Sequence, residues 1–176
     1  HGCKDTTSID IAEPTPVHVS LDTFQNLACF EDSTGWFSIT AFGGTGPKST
    51  ALDTLSGWNS KTSYYNLSAS DTLVWVKDEH NCKTSLVVPL QQPPLLKAYF
   101  TKVENLKCFE DQSGEIHVGV EGGTPGYRYS LNQGAWGRDF ELTGLQANEY
   151  FNFEVRDSNY CQVHLDTILT QPEPIS

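Results

Sequence analysis

Five cysteines are the residues of this chain best equipped for chemistry, and all of them fall on one ruler. Cys3, Cys82 and Cys161 are spaced 79 residues apart, and so are Cys29 and Cys108. No Cys-x-x-Cys or clustered histidine accompanies them, so their chemistry is disulfide formation rather than zinc binding. Acidic residues keep the same spacing. Cys29-Phe30-Glu31-Asp32 returns as Cys108-Phe109-Glu110-Asp111, and Asp78, four residues before Cys82, matches Asp157, four before Cys161. Glu31, Asp32 and Asp78, and again Glu110, Asp111 and Asp157, are candidate calcium ligands, since calcium gathers about six to eight oxygens from such groups. Against this, no Asp-x-Asp-x-Asp-Gly loop occurs, and Asp in a turn commonly caps its own backbone. Gly43-Gly44-Thr45 and Gly122-Gly123-Thr124 lack the following helix and lysine of a phosphate loop and read as tight turns. His1, His18, His80, His117 and His164 show no ligand spacing, and no nucleophile–base motif appears. The chain reads as no enzyme, with no catalytic residue and no cofactor.

Composition narrows the class. A formal charge of −11 disfavours nucleic acid, whose phosphates need basic partners, and anionic lipid alike. No apolar run approaches the roughly 20 residues that span a bilayer, so membrane insertion is not expected. Five cysteines among few charges, with 14 Gly and 9 Pro, fit an extracellular β-protein.

The elements that must position these groups follow the ruler too. Apolar residues alternate with polar ones at Val17, Val19 and Leu21, and again at Leu96, Ala98 and Phe100. Phe37, Ile39 and Ala41 match Ile116, Val118 and Val120. Val74 and Val76 match Phe153 and Val155, and Leu86, Val88 and Leu90 match Leu165, Thr167 and Leu169. A period of two marks strands with one buried face. Tyr127, Tyr129 and Leu131 add a strand to the second copy. The spacing predicts an all-β fold of tandem Ig-like β-sandwich repeats with a 79-residue period, arranged as an extended rod. Repeat one covers 15–93 and repeat two 94–172; residues 1–14 match 80–93 and read as the C-terminal strand of a preceding repeat, and 173–176 begin the next linker. Proline joints (Pro14-Thr15-Pro16, Pro93-Pro94, Pro172-Glu173-Pro174) are short and stiff.

If strands run up and down in order, four of them separate the turn after Cys29 from the turn before Cys82. An even count returns the chain to the same end, which favours Cys29–Cys82 and Cys108–Cys161, with Cys3 bound to a preceding repeat. Two alternatives remain: Cys3–Cys29 with Cys82–Cys108 across the joints, or free buried thiols. Trp58 and Trp136 recur in both copies and read as core or rim packing. Trp36 and Trp75 face Glu115 and Glu154 in the other copy, so they are candidate surface contacts.

Together, Cys108-Phe109-Glu110-Asp111-Gln112-Ser113-Gly114, Gly122-Gly123-Thr124-Pro125-Gly126-Tyr127, Leu145-Gln146-Ala147-Asn148-Glu149-Tyr150, Val155-Arg156-Asp157 with Cys161, and Gln171-Pro172 resemble the SprB repeat. The resemblance covers both copies; Lys48 stands where the family carries an aromatic. It implies a long surface protein of the kind built by Bacteroidota, including gliding-motility adhesins exported by the type IX secretion system. It also implies an O-glycosylation signal, giving Thr6, Ser33, Thr54, Thr72 and Thr167 as candidate sites. On this reading the chain is stalk material of an extracellular, cell-surface adhesin or filament, transmitting force and spacing an adhesive tip. Its partners would be neighbouring repeats, identical filaments or surface glycans. The alternative is a glycan- or surface-binding module, or a fibre–fibre interaction unit.

Overall fold

The computed structural model describes residues 2–53, 57–147 and 150–175. Among them are twelve strands and no helix, in two compact units. The first unit comprises residues 1–25 and 35–90, the second 26–34 and 91–176. Asn26–Thr34 therefore folds with the second unit, although it links two strands of the first.

In the first unit, β1 (His18–Gln25), β2 (Gly35–Phe42) and β4 (Ser63–Leu67) form one antiparallel sheet in the order β1-β2-β4. The other, in the order β3-β5-β6, contains β3 (Ser49–Leu52), β5 (Ser70–Lys77) and β6 (Lys83–Leu90). Alternation places Phe37 and Ile39 of β2, Val74 and Val76 of β5 and Val88 of β6 in the core, each almost fully buried. Removing such apolar surface from water is what holds the two sheets together. A polar link completes this interior: Tyr64 donates its hydroxyl to Thr50 Oγ1 (2.5 Å).

The second unit has the same plan. β7 (Lys97–Glu104), β8 (Gly114–Glu121) and β10 (Glu141–Leu145) form the sheet β10-β8-β7. β9 (Arg128–Leu131), β11 (Tyr150–Arg156) and β12 (Gln162–Ile168) form β12-β11-β9. Ile116 and Val118 pack with Phe151, Phe153, Val155 and Leu169, and the Phe100 ring meets Phe153 edge-on. β7, β8 and β9 begin and end 79 positions after β1, β2 and β3, and even the bulge between Leu21 and Thr23 recurs between Phe100 and Lys102. The paired sheets have the strand order of an immunoglobulin-type sandwich without its fourth strand.

Residues 2–14 are exposed and form no strand in this chain. One sequence expectation changes: the up-and-down strand count fails. β4 runs antiparallel to its sheet neighbour β2, while β3 runs antiparallel to β5. To satisfy both, the chain must cross the sandwich once more between β3 and β4, as it does between β9 and β10 over residues 132–140, which form no strand. That uncounted traverse turns an even number into an odd one.

Candidate functional site

At one end of each unit the Gly-Gly-Thr turn, the Asp before the cysteine and the entering chain are bonded together. Thr45 N–H donates to Asp78 Oδ2 (2.9 Å), Cys82 N–H to Asp78 Oδ1 (2.9 Å), and Gly44 N–H to the Thr15 carbonyl (2.9 Å). In the second unit Thr124 N–H donates to Asp157 Oδ2 (2.8 Å), Cys161 N–H to Asp157 Oδ1 (3.0 Å), and Gly123 N–H to the Pro94 carbonyl (2.9 Å). Asp78 and Asp157 are buried, and a buried carboxylate is tolerated because backbone amides satisfy it. The Thr45 amide is the largest influence on Asp78; against desolvation, and with the Cys82 and His80 amides, it holds this carboxyl below its ordinary range. The glycines are required by space. Gly43 and Gly122 sit at φ 71° and 73°, and a Cβ there would overlap the carbonyl oxygens of Pro16 and Leu95.

The Cys-Phe-x-Asp-x-Ser/Thr-Gly motif builds a second capped turn. Cys29 N–H donates to Asp32 Oδ2 (2.8 Å), Thr34 N–H to Asp32 Oδ1 (3.1 Å), and Ala28 N–H to Thr34 Oγ1 (2.7 Å). Cys108, Ser113 and Lys107 repeat these bonds around Asp111 at 3.0, 3.1 and 2.8 Å. Burial alone would raise Asp32 and Asp111, but the Thr34 and Cys29 amides, and those of Ser113 and Cys108, outweigh it and both carboxyls sit low. Glu31 and Glu110, at φ 56° and 53°, each donate their amide to the glutamine of Gln-Pro, Gln92 and Gln171 (both 2.8 Å). Sequence reading missed Asn26 and Asn105, whose Oδ1 atoms accept from the Gln91 and Thr170 amides (both 3.0 Å). The recurrence of Asn-Leu at Asn26-Leu27 and Asn105-Leu106 was the signal available for them.

The cysteines pair otherwise than expected. Cys29 is bonded to Cys161, with Cα atoms 5.7 Å apart, while Cys3, Cys82 and Cys108 are free and exposed. Cys29–Cys82 and Cys108–Cys161 do not form. The reason is the extra traverse. Leu106 N–H bonds the Thr170 carbonyl beyond the end of β12, whereas Cys161 precedes its start, so Cys108 and Cys161 lie at opposite ends of the second sandwich. In the first, Gly35 pairs with Leu67 and Ser70 with Leu90, while Cys82 adjoins the far end of β5. An eight-residue strand spans about 25 Å, far beyond disulfide reach. The segment bearing Cys29 is instead seated in the second unit, where Asn159 Nδ2 donates to the Ala28 carbonyl (2.9 Å).

The same geometry separates the acidic candidates. Asp111 and Asp157 occupy opposite ends of the second unit, and the aspartate oxygens serve backbone amides; among the described residues no group of three His, Cys, Asp or Glu side chains gathers as a metal site. Glu31 and Glu110 contribute their backbone amides to the turns. Trp36 and Trp75 are half-buried on the outer faces of β2 and β5; Trp36 Nε1 donates to Gln25 Oε1 (3.1 Å) and its ring lies 5.9 Å from Tyr65. Trp58 and Trp136 are half-buried beneath cations at matching positions, Lys77 (4.7 Å) and Arg156 (3.9 Å). Of the modification candidates, Thr6 and Ser33 are exposed and Thr167 is half-buried. Thr72 is buried on the inner face of β5, 4% exposed, so a sugar there is incompatible with the folded unit. Thr54 lies outside the described residues.

Both units are β-sandwiches in which the residues they share fasten their own loops. Residues 101–135, which contain the capped Cys108 turn and the Gly-Gly-Thr turn, match the SprB repeat family model, in agreement with the resemblance read from the motifs. No curated protein matches the chain. Among solved structures it is similar to the three N-terminal domains of the bacteriophage RB49 Highly Immunogenic Outer Capsid protein (Hoc), at 13% identity and a TM-score of 0.45, over 89% of this chain and 58% of that one.

Proposed function

We propose that this chain is part of the stalk of an extracellular, cell-surface adhesin or filament, in which tandem repeats 15–93 and 94–172 space an adhesive part from the envelope and carry tension. The supporting observation is where the chain enters and leaves the second unit. It enters beside Gly123, whose amide bonds Pro94, and leaves at Thr170, which bonds Leu106. These points flank opposite ends of β8, so once the Cys29–Cys161 bond no longer carries the load, tension runs along the strands and must shear whole ladders rather than peel one pair at a time. The capped turns fasten both of those ends. Neighbouring repeats are its first partners, with identical filaments as lateral ones, and no enzymatic step is assigned to it.

A second reading, a surface- or glycan-binding module, is favoured by the Trp36–Tyr65 pair, because Tyr65 is exposed and its ring lies beside the indole. Stacking on a sugar face is the chemistry it offers.

Single-molecule pulling from the two termini after reduction of Cys29–Cys161, a bond that would otherwise shield residues 30–160 from the load, tests the stalk. The chain is expected to hold at loads that have already unfolded a helical control domain. Yielding before that control would overturn the reading, and a glycan-array signal lost on Trp36→Ala would favour the second one.

A further inference from the structure

The bonded cysteines stand 132 residues apart, which is one period plus the separation of Cys29 from Cys82. In terms of the ruler, the first cysteine of one repeat is joined to the second cysteine of the next. The three unpaired cysteines are copies of these two: Cys108 of Cys29, and Cys82 and Cys3 of Cys161. Two of them are held as their bonded counterparts are. Cys82 N–H is capped by Asp78 (2.9 Å) as Cys161 is by Asp157 (3.0 Å), and Cys108 N–H by Asp111 (3.0 Å) as Cys29 is by Asp32 (2.8 Å). Both thiols are exposed. Cys108 borders a cleft formed with Phe109 and Pro172, and Cys82 one formed with Pro14 and Pro16.

We infer that the disulfides of this protein are staggered: each repeat is cross-linked to its successor, first cysteine to second, rather than closed upon itself. This rests on the repeat-array reading above, and it assigns Cys108 and Cys82 as cross-linking sites toward the following and preceding copies of the ruler. Bond formation needs a disulfide donor, an oxidised dithiol protein or glutathione disulfide. One cysteine thiolate attacks a donor sulfur and forms a mixed disulfide; the partner thiolate then displaces the donor. Two thiols lose two protons and two electrons, and the donor leaves as two thiols. Bonds of this pattern overlap, since each loop begins before the previous one closes. A pulled array therefore has two interleaved covalent paths. From Cys161 only 26 residues lead to the next first-type cysteine on the ruler, so roughly 90 Å of chain can be drawn out per two repeats.

Non-reducing peptide mapping after alkylation is the test. This chain, oxidised with glutathione disulfide, is expected to give one bridge, Cys29–Cys161, with Cys3, Cys82 and Cys108 alkylated. Lengthened by a second copy of residues 94–172, it is expected to gain a bridge from Cys108 to the added copy of Cys161, with the count of free thiols still three. Bridges Cys29–Cys82 and Cys108–Cys161, leaving Cys3 alone free, would overturn the staggered pattern in either chain. Should the longer chain not fold, Cys161→Ser in the present one decides: Cys29 becomes alkylated and Cys108 stays so, whereas closure within repeats would leave Cys29 protected. A staggered map from a chain that yields at low load would sink the stalk and keep the linkage; bridges within repeats would do the reverse.

Discussion

Asp157 shows how much one side chain carries here. Its two oxygens take amide hydrogens from Thr124, Asn159 and Cys161, tying two loops together. Asp157→Ala leaves these donors without their charged acceptor and is expected to cost on the order of 3 kcal/mol. The melting temperature of the second unit should fall by roughly 15 °C, read by calorimetry. Acid acts on the same design. Asp78, Asp32 and Asp111 have folded pKa values below their unfolded ones, so their contribution is complete above the unfolded carboxylate range, near about pH 4. It is lost as pH falls through the lower folded values. Thermal stability should therefore be insensitive to these groups at neutral pH and decline below about pH 4, a decline that Asp32→Asn and Asp111→Asn together should flatten. These aspartates were visible as a repeat, but their task was not. Residue type alone fits calcium ligation and backbone capping equally well, and only the positions of the amide hydrogens separate the two.

The strands were largely legible because a buried face imposes a period of two on the residues that form it. β4 and β10 were not. Ser63–Leu67 sets two tyrosines side by side and Glu141–Leu145 spaces its leucines three apart, so neither shows a period of two, and they are offset by 78 rather than 79 positions. The turns offer a sharp test of local geometry. Gly122→Ala meets both a left-handed φ and the Leu95 carbonyl, whereas Gly144→Ala, at the same φ of 73°, meets open space. Gly144→Ala should cost about 1–2 kcal/mol, the penalty of the conformation alone. Gly122→Ala should cost measurably more in urea unfolding, because the entering chain must also move; equal losses would mean that the carbonyl gives way freely.

For the whole chain the decisive bond is Cys29–Cys161. Closing a loop with a sequence separation of 132 removes about 5 kcal/mol worth of unfolded-chain freedom on the chain-entropy account. Reduction, or Cys161→Ser, should lower the unfolding midpoint of the second unit and free Asn26–Thr34 from it, seen as faster amide exchange in that segment. Unchanged exchange on reduction would show that the Asn159–Ala28 hydrogen bond and its surroundings suffice without sulfur.

Most strands, the turn positions and the spacing of each aspartate from a cysteine were written in the order of residues, because hydrophobic alternation and glycine-dependent turns are local demands. The partner of each cysteine was not. It depends on how many times the chain crosses the sandwich, and one crossing, between β9 and β10, is made by backbone without a strand's signature. A single unmarked traverse carries a cysteine to the other end of its unit. Only the three-dimensional pairing of strands could reveal that Cys29 belongs with Cys161.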